Sequence, residues 1–115
     1  MKKIPFFRIL LTSLAVFLSP APSLAGWSNV GTVKLIYYMK NGVVMFTTTG
    51  VRYDPPACGL TVGGRWAIEG STAAGKNQVA AVLSAYATGK PMQVFGANVC
   101  SAWLDTETVE YIVAQ

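Results

Sequence analysis

The chain has 115 residues, nine of them lysine or arginine against five acidic and no histidine, and 52% are hydrophobic. The absence of histidine removes the Ser-His and Cys-His nucleophile pairs and, with only two cysteines, the usual zinc ligand sets. The length admits one small domain and a targeting segment, not two domains.

That targeting segment comes first. Lys2, Lys3 and Arg8 give a positive start, and the apolar run Ile9 to Leu18 is shorter than the roughly 18 to 20 residues a spanning helix needs. Ser19-Pro20-Ala21-Pro22 loosens the chain, and Ser23-Leu24-Ala25 places small residues three and one positions before a cut. Residues 1–25 therefore read as a secretory signal peptide cleaved between Ala25 and Gly26, with membrane contact only during export and a periplasmic or secreted product. No cysteine follows the cut, so no lipid anchor is indicated.

Residues 26–115 remain as a single small domain. Six basic residues (Lys34, Lys40, Arg52, Arg65, Lys76, Lys90) face five acidic ones (Asp54, Glu69, Asp105, Glu107, Glu110), and the basic ones are scattered. A nucleic-acid partner is not supported. Cys58 and Cys100 enter an oxidising compartment together and are expected to pair, which by chain entropy is worth roughly 4 kcal/mol.

Thr32 to Met39 alternates as a strand, with Val33, Leu35, Tyr37 and Met39 on the face taken as inward. Lys40-Asn41-Gly42 is a hairpin turn, and Val43 to Thr49 returns antiparallel with Val44, Phe46 and Thr48 on one face. Gly50 to Gly64 is a long loop pinned by Cys58. Arg65 to Glu69 is a third strand with Trp66 and Ile68 inward. A helix follows from about Ala73 to Thr88, its inward stripe Val79, Val82, Leu83 and Tyr86, ended by Gly89 and Pro91. Met92 to Phe95 and Thr108 to Val113 complete the strands, the last with Val109, Tyr111 and Val113 on one face and Tyr111 inward. The order β-β-β-α-β-β predicts a mainly β fold with one helix: a five-stranded OB-type Greek-key barrel, or alternatively an open antiparallel sheet with one helix packed across it.

Ala85-Tyr86-Ala87-Thr88-Gly89-Lys90-Pro91-Met92-Gln93-Val94, then Cys100 and a final Tyr111-Ile112-Val113 strand, resembles a group of short exported bacterial proteins of unknown function. More distantly it is similar to the B subunits of AB5 toxins of the subtilase-cytotoxin type. That resemblance implies an OB-type barrel, a pentamer and glycan binding. It transfers no sugar-binding residue to this chain.

Gly70-Ser71-Thr72-Ala73-Ala74-Gly75-Lys76-Asn77 matches a phosphate-binding loop except at its last position, where Asn77 replaces the magnesium-binding hydroxyl. The small domain has no room for the fold that loop requires, so the segment reads as a glycine-rich helix entry with a surface lysine. Asp105, Glu107 and Glu110 form the one acidic cluster and read as a solvated loop and strand edge. No catalytic residue, metal site or cofactor is expected. Among the aromatic residues, Tyr38, Tyr53 and Trp103 are hardest to place in a core and are the candidate ligand or partner contacts. On the helix, Ala74, Asn77, Ala81, Ser84, Ala85 and Thr88 form a small uncharged face suited to contact between subunits. The expected function is a secreted or periplasmic non-catalytic binding module for a glycan or a protein. The alternative is a structural or inhibitory envelope protein acting through protein contacts, and an enzyme using the acidic cluster is third.

Overall fold

Local turn and cap chemistry lays out the elements largely as the sequence suggests. In the computed structural model, which describes residues 25–115, these are strands β1 (Trp27–Ser28), β2 (Val33–Tyr38), β3 (Val43–Thr48), β4 (Arg52–Tyr53) and β5 (Arg65–Glu69), helix α1 (Ala73–Thr88), and strands β6 (Met92–Gly96) and β7 (Glu107–Ala114). Asn41 shapes the hairpin between β2 and β3, its Oδ1 accepting from the Val43 N–H at 3.1 Å. Thr72 caps α1, its Oγ1 accepting from the Gly75 N–H at 2.9 Å, and Gly89 ends it in the left-handed region.

The strands form one sheet in the order β2-β3-β5-β7-β6-β1-β4, curled into a half-barrel. Neighbours are antiparallel except β5 and β7, which run parallel. Among the described residues the fold is thus mainly β with one helix, but it has seven strands where five were expected, and the sheet is mixed. β1 and β4 were missed because two residues are too few to show a period of two.

Two irregularities decide which side chains face the interior. In β2 the register shifts between Val33 and Leu35, so Val33 and Ile36 face the core while Leu35 and Tyr37 turn outward. In the pairing of β6 with β7 it shifts between Phe95 and Gly96, which puts Val109 and Ile112 inside and Tyr111 outside. One extra residue reverses the facing of everything beyond it. The inward placement of Tyr37 and Tyr111 is corrected for that reason, whereas Trp66 and Ile68 are buried as expected.

The main core joins Phe46, Trp66, Ile68, Met92, Val94 and Val109 from the sheet to Val82 and Ala85 of the helix, with Val79 packed against it. Leu83 and Tyr86, expected in the inward stripe, are exposed, while Ala85, expected on the outward face, is buried. Close approach sets this rotation: a Cβ at Gly75 would run into the Glu69 carbonyl, and a small alanine at 85 lets the helix lie against the sheet. The glycine in the phosphate-loop look-alike therefore serves backbone packing, and Lys76 is exposed.

A second, smaller cluster lies on the other side of the sheet. Val43, Met45 and Ala67 are buried there beneath Met39, Ala102 and Trp103. Trp103 reaches them because the Cys58–Cys100 disulfide, with Cα atoms 6.2 Å apart, ties the short 3-10 turn Ala57–Gly59 to the loop leading into β7.

At the parallel joint of the sheet the interior is polar. Glu107, expected in a solvated cluster, is fully buried and pairs with Arg52, which also donates through Nη1 to the Gly63 and Arg65 carbonyls, both at 2.8 Å, and lies 3.8 Å from the Trp66 ring centre. Burial pushes the Arg52 pKa below its usual value, and the Glu107 charge opposes that shift. Asp105 instead pairs with Arg65 at 2.6 Å, and Glu110 is exposed. The acidic cluster is therefore three residues in three environments.

Candidate functional site

β1 and β4 are short, but each carries one aromatic residue at a position that faces outward. Trp27 lies opposite Tyr53 of β4 on one side and opposite Phe95 of β6 on the other, and Phe95 lies opposite Tyr111 of β7. Residues directly opposite one another share a face of the sheet. Tyr53, Trp27, Phe95 and Tyr111 consequently form one transverse ladder over four adjacent strands, about 14 Å from end to end at the usual strand spacing.

The rings stack in pairs. Trp27 and Tyr53 have centroids 4.4 Å apart at an interplanar angle of 19°, and Phe95 and Tyr111 are 4.4 Å apart at 12°. Tyr53 and Tyr111 are 40% and 49% exposed, while Trp27 and Phe95 between them are half-buried. Such offset-stacked rings hold one another in a fixed orientation.

The edge of the ladder is polar, and among the described residues no lysine or arginine shares a ladder register position. Asn29 donates through Nδ2 to the Tyr53 hydroxyl at 3.3 Å, and Gln93 lies two residues along β6 on the same face as Phe95. Further exposed or half-buried residues nearby are Val51, just before β4, and Thr108, Glu110 and Val113 of β7. A surface of stacked rings, amides and hydroxyls suits a neutral, hydroxyl-rich ligand better than a phosphate-bearing one.

The three contacts expected from sequence fall in three places. Tyr53 belongs to the ladder. Tyr38, 64% exposed, ends β2, and β2 and β4 are the two extremes of the strand order. Trp103 lines a groove of about 470 Å³ with Asn41, Ser101, Ala102, Leu104 and Asp105, where its ring also covers the smaller core cluster. A neighbouring groove of about 390 Å³ is lined by Tyr37, Thr47, Thr61, Val62, Gly63, Gly64 and Arg65, so the Arg65–Asp105 pair stands between the two. On the helix, Ala81, Ser84 and Thr88 line a shallow groove of about 220 Å³ with Ala114 and Gln115, while Ala74 and Asn77 are exposed nearer its start.

The sequence pattern placed Tyr111 inward and did not single out Trp27 or Phe95 as contacts. The pairs Val94-Phe95 and Tyr111-Ile112 did hold a signal, since two consecutive apolar residues in a strand put one on each face. Among the described residues, no group of three or more metal-ligating side chains is assembled, and no helix is long and apolar enough to cross a membrane. Comparison of the chain with protein-family models, curated proteins and solved structures found no match.

Proposed function

We propose that this chain is an exported, non-catalytic binding module that holds a neutral glycan across the ladder Tyr53, Trp27, Phe95 and Tyr111. The observation that carries the reading is four aromatic side chains in register on adjacent strands, with the outer two substantially exposed. The negative faces of the rings attract the polarised C–H bonds of a sugar ring, and Asn29 and Gln93 offer hydrogen bonds at the edge. The Cys58–Cys100 bond suits an oxidising compartment outside the cytoplasm. The sharper form of the reading is a pentameric subunit like those of the glycan-binding toxins that the sequence resembles, with α1 at the subunit contact.

Glycan-array screening of the purified mature protein, followed by calorimetry on any ligand found, tests this directly. Trp27→Ala and Tyr111→Ala should each weaken binding about tenfold or more, which is the loss of about 1.4 kcal/mol. Tyr38→Ala, at the far edge of the sheet, should leave affinity unchanged. A protein that binds no glycan, or whose ligand is indifferent to the ladder variants, would overturn the reading in favour of an envelope protein acting through protein contacts.

A further inference from the structure

The surroundings of Glu107 are more specific than one ion pair requires. Arg52 Nη2 reaches Oε1, while the backbone N–H groups of Gly26 and Asn98 donate to Oε2 at 3.0 and 2.9 Å. Gly26 is itself buried, and its carbonyl accepts from the Gly96 N–H at 2.7 Å. A Cβ at either Gly26 or Gly96 would run into the Glu107 carboxylate. The nitrogen that donates to this buried carboxylate is the one set free if the chain is cut after Ala25.

We propose that Gly26 is the mature N-terminus and that Glu107 is its docking site, so that leader removal places an α-ammonium on a buried carboxylate. The inference rests on the leader reading and is independent of what the ladder binds. In the step, water adds across the Ala25–Gly26 bond under a signal peptidase. Its oxygen joins the Ala25 carbonyl carbon, the C–N bond breaks, and the departing leader keeps a carboxylate. The nitrogen leaves as an amine and holds the proton that the new carboxyl group releases. No oxidant or reductant is involved.

The chemistry at Glu107 changes sharply although no atom need move far. A neutral amide donor at 3.0 Å becomes a charged one at the same place, and charge-assisted hydrogen bonds are roughly twice as strong as neutral ones. Glycine is required at this first position because any side chain would occupy the space of the carboxylate. Cutting one residue later would remove the donor, so the processing register and the fold are coupled.

The test is to express the full chain in an exporting host and recover the mature protein. Intact mass reads its first residue. Limited acetylation at neutral pH then compares the Gly26 amine in native and urea-unfolded protein, with exposed Lys34 as internal reference. The expected result is a chain beginning at Gly26 whose α-amine reacts roughly tenfold more slowly when folded, because the opposite charge holds it protonated. A different first residue would overturn the assignment. A native amine as reactive as the unfolded one would overturn the docking. In folded Glu107→Gln protein the protection should disappear, and its persistence would also count against Glu107; if that variant does not fold, the wild-type comparison decides alone.

Discussion

The two halves of the sheet treat their outer faces differently. Over β3 and β5 the disulfide-linked loop covers that face, so Val43, Val44, Met45 and Phe46 are all buried and β3 reads as a continuous apolar run, while the outward Leu35 and Tyr37 of the edge strand β2 stay exposed. In β7, β6, β1 and β4 the outer rings of the aromatic ladder, Tyr53 and Tyr111, are exposed, and β6 alternates buried and half-buried residues. Strands covered on both sides lose the alternation that strands covered on one side retain. The comparison teaches where to look for a ligand surface: apolar residues on the covered half are explained by packing, and those on the open half are not.

The joint between the halves is the most sensitive point. Glu107 begins β7 where it runs beside β5, and Glu107→Gln leaves Arg52 buried without its counter-charge. We expect a loss of about 3 to 5 kcal/mol in urea denaturation, as for other broken buried pairs. A loss below 1 kcal/mol would mean that the two halves do not depend on this pair.

Releasing the cover comes next. Cys58→Ala or Cys100→Ala should cost about 2 to 5 kcal/mol and free Trp103 from Val43, Met45 and Ala67, which tryptophan fluorescence can follow. Two alkylatable thiols in the unreduced exported protein would show that the bond does not form.

On the open half the stability effect should be smaller than the effect on binding. Tyr111→Ala removes a half-exposed ring and one stacked partner, and should lower stability by about 1 kcal/mol, within the range of such ring pairs. A loss comparable with the disulfide variants would mean that the ladder is structural and would remove the contrast between the halves. Lys76→Ala, on the exposed part of α1, should change stability by under about 0.5 kcal/mol and leave any ligand affinity unaltered. Magnesium-dependent ATP binding lost in that variant would restore the phosphate-loop reading of Gly70 to Asn77.

Sequence alone determined what depends on neighbouring residues. Asn41-Gly42 set the first hairpin, Thr72 and Gly89 bounded the helix, and Trp66 and Ile68 were recognisable as core; a turn, a cap and a regular strand are each decided within a few residues. The pairing of Cys58 with Cys100 was legible because they are the only two cysteines. Facing was not legible wherever register shifts: the irregularities at Val33/Leu35 and Phe95/Gly96 depend on partner strands distant in sequence, and they turned Tyr37 and Tyr111 outward. The burial of Glu107 was equally hidden, since its partner Arg52 and its neighbour Gly26 lie 55 and 81 residues away. The ladder has the same origin. Its four rings come from four separate strands, and only the pairing of those strands brings them into line.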